Sequence, residues 1–341
     1  MDLRADSVRA APQARWPALF IMGPTASGKT ELALALAERL PISLISVDST
    51  QVYRGLDIGS AKPDAVLRER HPHALVDIRD PADPYSAADF RDDALAAMDA
   101  ARSAGRLPVL VGGTMLYFRV LEQGIASMPP SDPAVRAALD ARQARDGVAA
   151  LHAALAQVDP EAARRIDPGN PQRIKRALEV HEVSGRTLSW WWAQPAVGRD
   201  LHADFELRRV ALEPTDRAAL HQAVARRFDA MLAAGLIEEV RGLRGRPELH
   251  PGLPAIRSVG YRQVWSHLDG ETTAEEMRER SVAATRQLAR RQLTWLRSWD
   301  GVERVGVLPG KGPAPGFLTA LLRSLESGVA PGGQFVAGAP P

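Results

Sequence analysis

Short, continuous apolar runs alternate with longer amphipathic stretches along the first 120 residues. The runs Leu19–Met22 and Ile42–Val47 and the segment 107–114 (LPVLVGGT) are bounded by turn residues and predict buried strands. Helices are predicted after residue 29, in an Ala/Leu-rich stretch, and over 86–104. Strands without polar alternation, separated by helices, indicate a parallel sheet that is covered by helices on both faces.

The pattern changes after about residue 120. Ala/Arg-rich helices broken by Pro and Gly fill 121–205 without a convincing strand, and the apolar segment 207–213 (LRRVALE) predicts a return to the sheet. Helices are predicted from there to about residue 327. We therefore expect an α/β core in two parts, 16–120 and 206–327, with an all-helical subdomain inserted between them. Residues 1–15 and 328–341 lack periodicity and are predicted to be disordered tails.

Composition narrows the chemistry without identifying it. The 341 residues are 45% apolar and 25% charged, which is typical of a globular protein with room for two domains. The absence of cysteine excludes disulfides, thiolate nucleophiles and Cys-ligated metals, and the eight histidines show no metal-ligand spacing. A net charge of only +2 means that binding to a polyanion requires local clusters of cations. The first apolar run is too short for a signal peptide or a membrane span, so we expect a cytoplasmic protein.

The strongest chemical signal is GPTASGKT, which connects the first strand to the first helix. It matches G-x-x-x-x-G-K-[ST] in the strand–turn–helix context of a phosphate-binding P-loop, which makes the expected fold P-loop NTPase-like. Backbone amides of such a loop bind phosphate oxygens, the lysine adds a positive charge, and the hydroxyl residue is a magnesium ligand. The predicted phosphate-binding residues are Gly23, Pro24, Thr25, Ala26, Ser27, Gly28, Lys29 and Thr30, with Thr30 as the metal ligand.

Polar residues also follow the second and third predicted strands. Asp48 and Ser49 end the second strand, and Gly112, Gly113 and Thr114 end the third. Because the carboxyl ends of parallel strands meet at one edge of a sheet, these segments should converge on the P-loop. The Asp48 carboxylate could be a magnesium ligand, a general base, or a cap for the segment that follows. The two glycines suit either close approach to a ligand or a tight turn.

Two cation-rich segments point to a polyanionic partner. In 284–299 (ATRQLARRQLTWLRSW), Arg286, Arg290 and Arg297 fall within about 40° of one another at about 100° per residue. In 170–180 (NPQRIKRALEV), three cations lie at the start of a helix, where they oppose its dipole. Each segment alone is also typical of a solvated helix face. Together the two segments make a nucleic-acid partner as well supported as a pair of solvated faces.

These segments resemble the tRNA dimethylallyltransferase (tRNA isopentenyltransferase) family. The matching stretches are GPTASGKT, ISVDSTQVYRGLDIGSAKP, DPYSAADF, PVLVGGTMLYFRVLEQG, DPGNPQRIKRALEV, SVGYRQ and ATRQLARRQLTWLR. The resemblance implies transfer of a dimethylallyl group from dimethylallyl diphosphate to N6 of the adenosine just 3′ of the anticodon, in tRNAs that read codons beginning with U. The implied partners are dimethylallyl diphosphate, Mg²⁺ and the tRNA anticodon stem-loop, and the protein is expected to be a monomer that does not bind membranes.

The same resemblance implies residue roles. Asp48 is the base at N6 and, with Lys29 and Thr30, forms the catalytic set, while Arg217 and Arg227 join the P-loop in binding diphosphate. The predicted tRNA-binding residues are Asp48, Ser49, Thr50, Gln51, Thr114, Arg136, Gln172, Arg173, Ile174, Lys175, Arg176, Thr285, Arg286, Gln287, Leu288, Ala289, Arg290, Arg291 and Gln292.

Three other functions stay open from the residues. A P-loop kinase would use Asp48 as base for a substrate hydroxyl, but the third strand ends without an acid and the cation clusters would have no purpose. A related transferase that prenylates free AMP would not need those clusters either. A non-catalytic RNA-binding module leaves Lys29, Thr30 and Asp48 unexplained.

Overall fold

The computed structural model describes residues 14–126, 128–195, 198–309, 312–330 and 333–338. These residues form two compact units. The core unit consists of the described residues of Met1–Glu122 and Leu201–Pro341, and the helical unit of those of Gln123–Asp200. Within the described ranges, no helix has the length and apolar character needed to cross a membrane.

A seven-stranded sheet forms the centre of the core unit, counted over its described residues. Its strands are β1 (Trp16–Met22), β2 (Ile42–Val47), β3 (His73–Ala74), β4 (Leu107–Gly112), β5 (Phe205–Pro214), β6 (Glu303–Leu308) and β7 (Gly312–Pro313). Their spatial order is β3-β2-β4-β1-β5-β6-β7, and every neighbouring pair is parallel except β6 with β7. The carboxyl ends of β1, β2 and β4 therefore lie side by side.

Helices cover both faces of this sheet. In the core unit they are α1 (Lys29–Ala37), α2 (Ala65–Arg70), α3 (Ala87–Ser103), α4 (Met115–Gln123), and, after the helical unit, α9 (Leu201–Asp204), α10 (Arg217–Ala233), α11 (Leu236–Arg244), α12 (Tyr261–Leu268), α13 (Ala274–Arg297) and α14 (Pro315–Glu326). Alternate residues of β1 enter different cores: Phe20 and Met22 pack with residues of α3, α4 and α10–α13, whereas Leu19 and Ile21 pack with α1 and α14. The predicted fold class is confirmed.

The helical unit contains α5 (Pro133–Val158), α6 (Pro160–Arg165), α7 (Pro171–Ser184) and α8 (Leu188–Ala193). Its own apolar core includes Leu139, Leu151 and Leu178. The long helix α5 is kinked at Gly147, whose φ of 81° lies outside the helical region. The predicted insertion of 121–205 is thus mostly a separate helical unit with a core independent of the sheet.

Two features of the C-terminal part differ from the sequence-based expectations. Helices alone were expected after 213, yet β6 lies between α13 and α14; most of its side chains are exposed, so it lacks the continuous apolar run of a buried strand. The stretch from 328 was expected to be a disordered tail, but Phe335 is only 2% exposed and its amide donates to the Gly105 carbonyl at 2.9 Å. A lone aromatic residue in a Gly/Ala/Pro segment gives no periodic signal for such packing.

Candidate functional site

The P-loop connects β1 to α1 through a turn whose last residue is left-handed. Gly28, the residue before α1, has a φ of 87°, a left-handed conformation that favours glycine. The turn places the amides of the loop around the N-terminus of α1, where unpaired N–H groups and the helix dipole attract anions. The loop therefore has the local geometry of a phosphate site.

Two cations line the cleft beside this loop. Lys29 donates from Nζ to the Pro24 carbonyl at 2.6 Å, and Arg227 reaches the same cleft from α10. Burial, helped by the charge of Arg227, lowers the pKa of Lys29 from 10.5 to about 8, although Asp48 and Glu31 act in the opposite direction. Burial likewise lowers the pKa of Arg227. Both cations would gain from an anionic ligand, because it would offset the cost of burying them.

Asp48 lies at the carboxyl end of β2 and lines the same cleft. Its Oδ1 accepts hydrogen bonds from the amides of Thr50 at 2.8 Å and Gln51 at 3.3 Å. The capping role is therefore present. Its Oδ2 makes no hydrogen bond to any residue that the structure describes, which leaves it available to a substrate. The Asp48 carboxylate can therefore cap the segment after β2 and still act on a substrate, because the two cap hydrogen bonds fix its orientation.

The end of β4 supports this arrangement. Thr114 accepts on Oγ1 from the amide of Ser49 at 3.1 Å, which ties the loop after β2 to the loop after β4. At Gly113 the absence of a side chain makes room for Gln292, because a Cβ there would lie 2.5 Å from Nε2 of Gln292. The φ of Gly113 is not positive, so the backbone conformation itself does not require glycine. The open question about the glycine pair is thus answered at Gly113 by a close approach of the Gln292 side chain.

One wall of the cleft depends on two residues to which the sequence alone assigned no role. Gly59, Ser60 and Ala61 line the cleft. Glu239 accepts from the amides of residues 57, 58 and 59 at 3.0, 2.7 and 3.2 Å, and from the hydroxyl of Tyr261 at 2.6 Å. Burial and the Glu239 carboxylate raise the pKa of Tyr261, which keeps its hydroxyl a donor. Since Glu239 is about 180 residues away along the chain, no local pattern signals this contact.

Gln51 holds the same wall from the other side. Its Nε2 donates to the carbonyls of Ser60 at 3.4 Å and Ala61 at 3.3 Å, and its Oε1 accepts from the Ser46 hydroxyl at 2.9 Å. The Thr50 hydroxyl donates to Ser258 Oγ at 3.2 Å. Residues 48–51 and Thr114, which are predicted to bind tRNA, are therefore brought together beside the P-loop, although the side-chain amide of Gln51 is engaged with protein.

The predicted RNA-contacting stretch of α13 divides between two faces. Thr285, Leu288 and Gln292 line the cleft, and Ala289 is buried in the core. The exposed members are Arg286, Gln287, Arg290 and Arg291. The structure thus presents only part of 285–292 to a large ligand.

In the helical unit, too, only some of the predicted RNA-contacting residues are exposed. Ile174 is fully buried and Lys175, 7% exposed, forms an ion pair with Asp140. Ile174 is thus a core residue that is not placed to contact RNA. The other members are Gln172 and Arg173, which are exposed, and Arg136 and Arg176, which pair with Glu179 at 3.3 and 3.1 Å.

The two predicted diphosphate-binding arginines of α10 also differ. Arg227 lines the cleft, whereas Arg217 is exposed at the first residue of the helix and does not line it. Ten residues of helix separate them by about 15 Å along the axis. Only Arg227 is brought to the P-loop.

Comparisons with known proteins identify the family of this chain. The family model for IPP transferase matches residues 51–299. A tRNA dimethylallyltransferase of Chromohalobacter salexigens is 59% identical over 285 residues, covering 84% of this chain and 90% of that protein. The tRNA isopentenylpyrophosphate transferase of Bacillus halodurans is 34% identical, with a TM-score of 0.65 over 92% of this chain and 96% of that one. A eukaryotic dimethylallyltransferase acting on tRNA, 21% identical with a TM-score of 0.66 over 95% of this chain and 92% of its own, shares the fold. This chain belongs to the tRNA dimethylallyltransferase family.

Proposed function

We propose that this protein transfers the dimethylallyl group of dimethylallyl diphosphate to N6 of the adenosine 3′-adjacent to the anticodon, in tRNAs that read codons beginning with U. A bond forms between N6 and C1 of the dimethylallyl group, the C1–O bond breaks, and its electron pair leaves on the diphosphate. One proton is lost from N6. The products are N6-dimethylallyladenosine in the tRNA and free diphosphate. Family membership and the cleft beside the P-loop support this reaction.

The P-loop side of the cleft is proposed to hold the diphosphate. The backbone N–H groups of residues 26–30 and the cations of Lys29 and Arg227 would stabilise the charge that develops on the leaving group. Arg217, being exposed and outside the cleft, has no support from geometry for this role.

The residues present fit a magnesium ion that binds together with the diphosphate. Thr30 and Asp48 line the cleft with the hard oxygen donors that Mg²⁺ prefers. Among the described residues there is no group of three or more His, Asp or Glu side chains that could hold an ion alone. Thr30 is therefore the proposed protein ligand, and the other ligands would come from the diphosphate and water. Bound there, the ion would neutralise charge on the leaving group.

Asp48 is the proposed general base. The lone pair of the exocyclic N6 is delocalised into the adenine ring, so the nitrogen is a weak nucleophile and loss of its proton must accompany bond formation. Oδ1 is held by two backbone amides and Oδ2 is unengaged by the described residues, so the carboxylate is oriented and still able to accept that proton. The target base would have to leave the loop stack to reach it.

The proposed RNA contacts follow from exposure. Ser49, Thr50, Gln51 and Thr114 surround Asp48 and would meet the target nucleotide, while the exposed residues Gln172, Arg173, Arg286, Gln287, Arg290 and Arg291 would meet the RNA around it. The protein is proposed to act as a monomer. The proposed place of action is the cytoplasm, with the tRNA.

The observation that carries this proposal is that Asp48, Lys29, Thr30 and Arg227 line one cleft beside the P-loop. Incubation with radiolabelled dimethylallyl diphosphate and tRNA, AMP or no acceptor tests it. We expect label in tRNA alone, and none in a transcript whose adenosine next to the anticodon is replaced by guanosine. Label in AMP would favour the AMP-directed transferase, and ATP turnover without label transfer would favour a kinase.

A further inference from the structure

Two residues of the predicted RNA-contacting stretch are almost inaccessible, Ala289 and Gln292, and of these only Gln292 has a polar side chain. It is 9% exposed and lies on the buried side of α13. Both ends of its amide are engaged: Oε1 accepts from the Thr25 amide at 3.1 Å, and Nε2 donates to the Gly113 carbonyl at 2.8 Å. The side chain therefore joins the first half of the P-loop to the end of β4.

The surrounding backbone is shaped for this one side chain. A Cβ on Gly113 would lie 2.5 Å from Nε2 of Gln292 and 3.3 Å from the Gly23 carbonyl. Any residue other than glycine would force the Gln292 amide to shift from this position. A buried amide that has both of its ends satisfied is specific in orientation, because losing either partner would leave a buried polar group unpaired.

The position of Gln292 along α13 gives the contact its functional meaning. The neighbouring Arg290 and Arg291 are exposed, whereas Gln292, with Thr285 and Leu288, lines the cleft. One helix thus presents an outer face to solvent and an inner face to the P-loop. The spacing of 3.6 residues per turn allows adjacent residues to serve these two faces.

We infer that Gln292 is a positioning residue of the P-loop and not an RNA contact. This inference rests on the proposed function of the loop as the diphosphate site. Gln292 holds the Thr25 amide and so fixes the shape of the loop whose remaining amides, with Lys29, bind the diphosphate. Without it the first half of the loop is no longer tied to β4, and diphosphate has to order the loop on binding.

Gln292→Met and Gln287→Met form a matched pair for the test. Both remove a glutamine amide from α13, but Gln287 is exposed. Binding of the non-transferable analogue dimethylallyl thiolodiphosphate with Mg²⁺ is measured by calorimetry, and binding of a tRNA transcript without the analogue by filter retention. We expect about a tenfold weaker analogue affinity for Gln292→Met, a loss on the scale of one hydrogen-bonded contact, with unchanged tRNA affinity. Gln287→Met should leave analogue affinity unchanged and affect tRNA binding alone.

Gly113→Ala perturbs the same contact from the other side and covers the case in which Gln292→Met folds poorly. It should weaken analogue binding to a similar extent, and the double variant should be little worse than either single one, because both remove the same contact. Unchanged analogue affinity in both variants, or a loss confined to tRNA binding in Gln292→Met, overturns the inference. If the wild-type protein itself fails to bind the analogue, the proposed function fails, and the inference fails with it.

Discussion

The cation-rich segments of the two units look alike in sequence and differ in what surrounds their charges. In α13 of the core unit, Arg286, Arg290 and Arg297 are exposed and form no ion pair with any described residue. In α7 of the helical unit, Lys175 pairs with Asp140 and Arg176 with Glu179. Whether a cation is free for a phosphate is therefore decided by carboxylates elsewhere in the chain, and the spacing of the cations does not show it.

Glu179 is the centre of this difference. It is fully buried and accepts hydrogen bonds from the Ser131 hydroxyl at 2.5 Å and the Asp132 amide at 3.0 Å, besides its two arginines. Burial would raise its pKa, but the Ser131 hydroxyl and the charges of Arg176 and Arg136 outweigh burial and lower it. Glu179 thus stays ionised, and its two guanidinium partners are engaged in stabilising the helical unit.

Replacing Asp48 has the largest expected effect, because it removes the proposed general base and leaves the cations of α13 and α7 unchanged. Asp48→Asn keeps an oxygen that can accept from the amides of Thr50 and Gln51 but cannot act as a base. We expect single-turnover transfer to fall by about 10²–10⁴ in Asp48→Asn and Asp48→Ala, with tRNA affinity within a few-fold of wild type. Asp64→Ala, which removes only the N-cap of α2, is the control. Near-normal turnover in Asp48→Asn would refute the general-base role.

The next largest effect is expected from Glu179→Gln in the helical unit. It removes the buried carboxylate that holds Arg136 and Arg176, and we expect the free energy of unfolding to fall by about 1.5–3 kcal/mol, the scale of hydrogen bonds to a charged group. Transfer by the folded protein should persist. Urea denaturation measures the change, and Glu182→Gln, at an exposed position of the same helix, is the control. Equal stability of the two variants would show that the pairs with Glu179 do little.

The same network gives a pH dependence whose sign follows from the lowered pKa of Glu179. Because the native pKa lies below the usual 4.5, the stabilisation is complete above about pH 4.5 and is lost as the pH falls through the native pKa. The stability difference between wild type and Glu179→Gln should therefore shrink on acidification. A difference that stays constant down to pH 3 would contradict this account.

A smaller effect is expected from the titration of Lys29. The pKa of Lys29 is about 8 in the free protein, so above that pH Lys29 must take up a proton when diphosphate binds. Affinity for dimethylallyl thiolodiphosphate should be insensitive to this group below pH 8 and should fall by up to about tenfold per pH unit above it. Lys29→Arg, which stays charged, should bind with a flatter profile. Parallel profiles for both proteins would show that Lys29 does not titrate against the ligand.

The core of the site was accessible from the sequence because its signals are local. The P-loop, the strand that ends at Asp48 and the cation-rich helix α13 are each contained within about 25 consecutive residues. Contacts between distant segments were not accessible: Glu239 binds amides at residues 57–59, and Gln292 binds Thr25 across 267 positions. Periodicity also could not separate Ile174, a core residue, from the exposed Arg173 beside it.

The contrast between free and paired cations is tested most directly by the salt dependence of tRNA binding. Filter binding from 50 to 300 mM salt compares wild type with the triple variant Arg286/Arg290/Arg297→Gln and with the single variants Arg290→Gln and Arg176→Gln. If each arginine of the triple variant neutralises one phosphate, the slope of log affinity against log salt flattens by about 0.7 to 0.9 per residue. Because Arg176 is already paired with Glu179, Arg176→Gln should leave the slope almost unchanged. An unchanged slope in the triple variant, with its circular dichroism intact, or a flattening in Arg176→Gln equal to that in Arg290→Gln, would contradict the account.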